Sequence, residues 1–370
     1  MNRCTKCILP ASYPGIEFDD AGICNYCHAY TPTDCRGGKA LLEVIDRYRD
    51  DNNSYDCIVG LSGGRDSSYL LYYATEVLNL RVLAYTYDNG FMPAETQSNI
   101  ASMTQRLNVE HIIETKHYTK RCLNHVLSSW TESPSPGMIS SLCVGCRMGM
   151  VLGFLKAARE HQVPLLLTGG GEPESSFATL FLTSGQDRNR PMWAGYLAEM
   201  AANPRYALNP RFVATAFSEY ACYFVGFRLA KRIVYPDQKY VPIFRYVEWD
   251  EDTILSVIRE KLDWQNYAAS NTTWRSDCKI ALLKNYLYAK TVGFTKNDEL
   301  LSNLIRDGAI TRETAIERVN SENQFPEDFV SEFCAEIGVD YRKLKKALRA
   351  IETTIAPNDE ETIRVGGNPG

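Results

Sequence analysis

Six consecutive residues, Ser62-Gly-Gly-Arg-Asp-Ser67, follow the apolar run Cys57 to Leu61 and lead into Ser67 to Asn79, where apolar side chains recur at helical spacing. A strand, a glycine-rich turn and a helix in that order make a holder for pyrophosphate. Gly63 and Gly64 let the backbone come close to an anion, and the N–H groups of the first helical turn point at it with the favourable end of the helix dipole. Asp66, Ser67 and Ser68 suit that first turn, and Arg65 offers a bidentate cation for phosphate. ATP chemistry is therefore the first expectation, although a tight strand-to-helix turn is the plainer reading of the same glycines. The G-x-x-x-x-G-K-[ST] loop is absent, so this is a different phosphate holder.

The cysteines form two further constellations. Cys4-x-x-Cys7 and Cys24-x-x-Cys27, sixteen residues apart, fit a tetrahedral four-thiolate zinc site that staples a small knuckle. Such a closed site holds a fold together; His28, beside it, is expected in solvent. Cys143-Val-Gly-Cys146 precedes one helix and Cys278 follows Trp274-Arg-Ser-Asp277 near the start of another. Three thiolates can ligate a [4Fe-4S] cluster and leave one iron open to hold sulfide. Inert buried thiols and a redox pair at Cys143 and Cys146 are the alternatives, and Cys222 competes with Cys278 for the third place. Cys57, Cys122 and Cys334 are read as core thiols, and Cys35 is assigned nothing.

The elements that must position these residues alternate. After Cys57 to Leu61, a second strand covers Leu80 to Tyr87, a helix Pro93 to Leu107, a third strand His111 to Thr115, a helix Met148 to His161 and a fourth strand Val163 to Thr168. This order calls for an α/β fold with a doubly wound parallel sheet, whose ligands sit at the carboxyl ends of the strands. Gly169 and Gly170 lie at such an end and can approach a nucleotide with bare backbone, while Tyr87 and Asp88 are candidates to line the adenosine pocket. Glu172 and Glu174 are candidate magnesium ligands, with solvated loop glutamates as the commoner case. Arg205, Arg211, Arg228, Arg232 and Lys239 lie in the aromatic stretch from 176 to 240, which is hard to divide into elements. They are candidates to receive an anionic, nucleotide-linked substrate, against a helical core face with solvated charges.

The expected organisation is a zinc knuckle over 1–30, a linker and helix over 31–53, the nucleotide domain over 54–250, a helical region over 251–352 and a mobile tail over 353–370. Helices are expected over Lys39 to Arg49, Asp250 to Leu262 and Lys279 to Thr291, with several short ones from Asp298 to Ile351. The 370 residues are 45% hydrophobic and 23% charged, enough for ordinary cores. A formal net charge of -5 makes long-range capture of nucleic acid unfavourable, so tRNA is a poorer expectation than a small-molecule substrate. The N-terminus lacks the apolar core of a signal peptide, so the expectation is a cytoplasmic protein with reduced thiols and no membrane association. A homodimer is one option, and the sequence leaves the oligomeric state open.

Ser62-Gly-Gly-Arg-Asp-Ser67 resembles the PP-loop of the ATP pyrophosphatase (adenine nucleotide alpha hydrolase) superfamily, whose usual form is S-G-G-x-D-S. The resemblance implies a HUP-like fold. It also implies cleavage of ATP between the α and β phosphates with magnesium, and an adenylate displaced by a nucleophile. Arg65, Asp66 and Ser67 then carry the catalytic step, and Ser62, Gly63, Gly64 and Ser68 bind the nucleotide with them. In place of the histidine and acidic residues that many such enzymes carry after the fourth strand, this chain has Gly170 and Glu172. The trio Cys143, Cys146 and Cys278 resembles the cluster ligands of PP-loop tRNA thiolases, which implies sulfur transfer from a separate sulfur donor. Cys4-x-x-Cys7-Ile-Leu-Pro, Pro14 to Cys27, Tyr55-Asp-Cys-Ile-Val and Asp307-Gly-Ala-Ile-Thr-Arg-Glu-Thr-Ala-Ile316 resemble N-acetyl sugar amidotransferases of surface-polysaccharide pathways. That resemblance implies amidine formation with ammonia from a partner glutaminase. Of the two activities these resemblances imply, sulfur delivered at the three cysteines leads and amidine formation follows. A nucleotide-binding module that releases no pyrophosphate is the reading outside enzymology.

Overall fold

A computed structural model describes residues 2–32, 35–115, 118–170, 192–208, 210, 213–214 and 237–355. Among them five strands form one parallel sheet in the order β3-β2-β1-β4-β5, with β1 Cys57–Gly60, β2 Val82–Asp88, β3 Glu110–Thr115, β4 Leu165–Thr168 and β5 Lys239–Pro242. Val59 pairs with Ala84 on one side and Leu167 on the other, and Leu165 pairs with Lys239. The chain builds outward from β1 to β3, then crosses back to place β4 on the opposite flank of β1. This reversal of strand order opens a crevice at the carboxyl end of β1, where such sheets take their ligands.

The period of two along each strand sorts the side chains between the two faces. Cys57, Val59, Val82, Ala84, Leu165 and Leu167 share one core with Leu70, Leu71, Ile254 and Ile258. Ile58, Leu83, Tyr85 and Leu166 face the other way, onto Phe154, Leu155 and Ala158. Each face is thus covered by helices, which is why the strands read as nearly continuous apolar runs.

Most of the expected elements lie where the pattern put them, within a few residues. The helix after the loop is Arg65–Tyr72 and continues as a wider turn, Tyr73–Val77. It stops before Asn79, whose φ of 50° no helix accepts. Glu251–Leu262 starts where the Asp250 carboxylate accepts a bond from the Thr253 N–H, and Lys279–Thr291 matches its expected span. The C-terminal stretch resolves into Lys296–Arg306, Arg312–Glu322, Glu327–Ile337 and Tyr341–Ile355, the first closed by a capping box between Thr295 and Asp298.

Among the described residues, the helices Tyr118–Glu132 and Met192–Ala202 escaped the sequence reading, as did the short 3-10 segments and β5, a four-residue edge strand with Tyr240 42% exposed. Tyr118–Glu132 supplies Leu123, Val126, Leu127 and Trp130 to a third core built with Leu283, Leu287, Phe333 and Leu348. The expected division at residue 250 therefore runs through shared cores: Glu251–Leu262 packs on Arg65–Tyr72, and the C-terminal helices pack on 118–143. The stretch Pro136–Glu160 is long and apolar enough to cross a membrane by composition, yet 59% of its most apolar window is buried, as a core segment is. Glu172, Glu174, Arg211, Cys222, Arg228, Arg232 and the tail from 356 lie outside the described residues.

Candidate functional site

The loop after β1 has the form its glycines demand. Gly63 sits at φ 77°, and a Cβ there would lie 2.7 Å from Thr96 and 2.8 Å from Ile100, so only glycine fits. Gly64 occupies the N-cap position of Arg65–Tyr72 in extended geometry. It brings no side chain to cap the first turn, which leaves the helix terminus to a ligand. Ser67 Oγ accepts from the Ser62 N–H at 3.2 Å, lies 3.0 Å from Ser62 Oγ and donates to the Gly64 carbonyl at 3.1 Å. Ser68 Oγ donates to the same carbonyl at 2.8 Å. A Cβ on Gly169 would meet the Asp66 carbonyl carbon at 2.9 Å, so β4 delivers bare backbone against the loop; Gly170, beside it, faces open space.

Arg65 takes a different place from the phosphate contact expected of it. Its side chain is 1% exposed; Nη1 lies 2.5 Å from Glu251, Nε lies 3.1 Å from Asp66, and the guanidinium stacks 4.9 Å from the Trp249 ring centre. Trp249 Nε1 donates to Asp66 at 3.0 Å and Trp264 Nε1 to the Gly63 carbonyl at 2.9 Å. Arg65 thus fastens the loop to the segment from 249 to 264, and its charge is spent on carboxylates. Glu251 also receives Arg318 at 2.7 Å. Burial works to raise its pKa, but Arg318 and Arg65 outweigh it and hold the carboxyl below its usual value. Glu251→Gln should therefore cost about 3–5 kcal/mol at pH 7, since it leaves two guanidinium groups without their counter-charge. A depressed folded-state pKa contributes stability above the unfolded value and loses it as pH falls, so the gap between wild type and variant should narrow below about pH 4. Denaturant unfolding of both proteins from pH 7 to pH 3 checks this.

The three central cysteines converge beside this loop. Asn89 Nδ2 lies 3.4 Å from both Cys146 Sγ and Cys278 Sγ, and Lys284 Nζ lies 3.5 Å from Cys143 Sγ. Asp277, the residue before Cys278, packs on the loop, where a Cβ at Gly64 would lie 3.1 Å from its carboxylate carbon. Burial raises Cys278 to about 11, with Cys143 and Asp277 adding to it, whereas at Cys143 burial is outweighed by Lys284, Arg147 and Lys296, which lower it. Among the described residues only Cys4, Cys7, Cys24 and Cys27 gather their donors within 4.8 Å of one another.

That N-terminal set fits zinc closely. Cys4 and Cys27 sulfurs are 4.0 Å apart and Cys7 and Cys24 3.8 Å apart, against about 3.8 Å for a tetrahedron with zinc–sulfur bonds of about 2.3 Å. Cys4 accepts from the N–H groups of Cys7 and Cys24 at 3.4 and 3.2 Å, which bring it down to about 7 against burial. His28 stands outside, 2.8 Å from Asp19 at the surface.

Of the two residues expected near adenosine, Tyr87 is turned into the core and Asp88 ends β2 in a turn. Tyr87 is buried under Val144–Glu160, so close that a Cβ on Gly149 would lie 2.3 Å from its ring. Asp88 accepts from the Gly90 N–H at 2.8 Å and holds the turn that carries Asn89. Arg205 pairs with Glu132 at the surface, and Lys239 begins β5. Asn89, Trp249, Trp264, Lys284 and Lys296 were missed; only the Asp88-Asn89-Gly90 turn hinted at any of them.

Residues 243–362 match the family described as LPS biosynthesis protein WbpG-like, C-terminal domain. That span carries Glu251, Cys278 and Lys284. The uncharacterized protein MJ1599 of Methanocaldococcus jannaschii is 26% identical over 121 residues, which is 32% of this chain and 44% of that protein. The chain thus spans less than half of that relative. Similar solved structures include an NMN synthetase from Francisella tularensis, at TM-score 0.38 and 14% identity over 76% of this chain and 89% of that one. Another is the U34-tRNA thiolase NcsA from Methanococcus maripaludis with its [4Fe-4S] cluster, at TM-score 0.34 and 15% identity over 86% and 89%.

Proposed function

We propose that the chain is an ATP-dependent, AMP- and pyrophosphate-forming enzyme that adenylates the amide oxygen of an acetamido sugar and replaces it with nitrogen, giving an amidine. The observation that carries the adenylation step is the loop at the reversal of strand order, with Gly63, Gly64 and Gly169 presenting backbone and Ser67 at its centre. The amide oxygen attacks the α phosphorus, pyrophosphate leaves with its charge spread over the helix terminus, and ammonia displaces AMP from the activated carbon. Magnesium would neutralise charge developing on the phosphates. Arg65 acts through position: with Glu251 and Trp249 it fixes Asp66 and the first helical turn. The sugar acceptor is supported by the match of residues 243–362 to a lipopolysaccharide-biosynthesis family, added to the resemblance of both ends and the loop to sugar amidotransferases. Ammonia would come from a separate glutaminase.

Sulfur transfer is the second reading, favoured by the convergence of Cys143, Cys146 and Cys278 next to the loop. These thiols would hold a [4Fe-4S] cluster whose open iron supplies sulfide to the same adenylate. Anaerobic purification separates the two. The amidine reading predicts a colourless protein with zinc, converting the acetamido sugar to an amidine by mass spectrometry when given ammonium ion. A brown protein with about four irons per chain, bleached by Cys143→Ala and yielding a thioamide, would establish sulfur instead.

A further inference from the structure

Among the described residues, the carboxylate of Asp277 meets no hydrogen-bond donor and no ion-pair partner, yet the chain holds it against the loop after β1. Asp277 is half-buried and rests on the bare face of Gly64, where a Cβ would lie 3.1 Å from both its Cγ and its Oδ2. Gly64 is the N-cap of Arg65–Tyr72, so this carboxylate stands beside the first helical turn. Gly169 closes on the same turn from the β4 side, where a Cβ would lie 3.0 Å from the Ser67 nitrogen. The neighbours of Asp277 fix its place. Trp274 and Ser276 are buried, the Trp274 N–H donates to Thr272 Oγ1 at 3.2 Å, and the Lys279 N–H donates to the Phe91 carbonyl at 3.1 Å. Thr273 Oγ1 donates to Glu251 at 3.1 Å and accepts from Arg65 at 3.0 Å. Asp66, the loop's own carboxylate, is engaged by Arg65 and Trp249, and Lys279 pairs with Glu336 at 2.9 Å.

The geometry points to Asp277 as a ligand of the magnesium ion that accompanies the nucleotide phosphates, and so as a further catalytic residue of the adenylation. This rests on the ATP reading of the loop and adds a residue to it. A lone carboxylate beside a turn built to take an anion repels a triphosphate, and a divalent cation held between the two turns that repulsion into attraction. Magnesium suits the place, because it binds through one or two carboxylates together with phosphate oxygens and keeps water in its remaining positions. Gly64 makes the approach possible, since a side chain there would press on the carboxylate. The two aspartates thus divide the work: Asp66 anchors the turn through Arg65 and Trp249, and Asp277 faces the ion.

The test is calorimetric titration of α,β-methylene-ATP into the full chain, wild type and Asp277→Asn, once in EDTA and once in excess magnesium. In EDTA the variant should bind at least as tightly as wild type, because the repulsion is gone. In magnesium it should bind about tenfold more weakly than wild type or worse, the scale on which metal affinity responds to the residues that support it. The unfolding midpoint should stay within about 3 °C of wild type, as for a side chain that gives up no partner. Equal affinities of the two proteins in both conditions, equal weakening of the variant in both, or a larger fall in its midpoint overturns the assignment and leaves adenylation standing. Absence of α,β-methylene-ATP binding by wild type in either condition would instead overturn the adenylation reading, and the assignment with it.

Discussion

Ser67→Ala should reduce pyrophosphate release by about 10²–10³-fold, the range seen when one preorganised group of a charge-stabilising site is lost, here the hydroxyl that sets the turn carrying the backbone donors. Ser67 Oγ joins the end of β1 to the first helical turn through Ser62 and Gly64, and on the proposed function it shapes the turn that would hold the leaving pyrophosphate. The folding cost is small by comparison, about 1 kcal/mol for the lost hydrogen bonds. Asp66→Ala should act as strongly by a different route: it removes the acceptor of Trp249 and one carboxylate of Arg65, so the helix terminus is no longer held. Measuring pyrophosphate release beside denaturant unfolding tells these effects from global damage. Release at the wild-type rate in both variants would take Ser67 and Asp66 out of the reaction.

Stripping zinc, or replacing Cys24 with Ser, should lower the thermal midpoint by more than about 10 °C, because a structural zinc site carries a binding free energy of about 10–16 kcal/mol that is also folding free energy. The consequence should extend beyond the knuckle. Arg306 donates to Cys27 and Cys7 sulfurs at 3.5 and 3.4 Å, Arg312 bonds the Cys4 and Cys7 carbonyls, and Arg3 pairs with Asp298 at 2.7 Å. With Tyr13 on Glu299, these contacts clamp the helices Lys296–Arg306 and Arg312–Glu322. Metal analysis should give one zinc per chain in addition to any iron. A midpoint unmoved by a strong chelator, with zinc verified absent, would show that the four thiols hold the knuckle without metal.

The sheet was legible because strands buried on both faces leave unbroken apolar runs, and because Gly63-Gly64 between an apolar run and a helical pattern marks a strand-to-helix turn. The knuckle was legible because tetrahedral ligation requires paired cysteines at short spacing. What the sequence hid are relations across long separations. Nothing local announces that Arg65 meets Glu251, 186 residues on, or that Asn89 bridges Cys146 and Cys278. Arg65 read as a phosphate ligand because its neighbours are loop residues, yet a buried carboxylate competes for its guanidinium. Tyr87 read as a pocket residue because it ends a strand, but the pleat turns it under the helix Val144–Glu160, which carries Cys146. The edge strand Lys239–Pro242 was missed for want of length: four residues give too little alternation to separate a strand from a loop.

The most direct measurement is product analysis of radiolabelled ATP consumed with ammonium ion and a nucleotide-linked acetamido sugar. Cleavage at the loop after β1 predicts AMP and pyrophosphate in equal amounts, lost together in Ser67→Ala. Formation of ADP and orthophosphate would contradict the account at its root, since the α phosphorus would then never have been attacked.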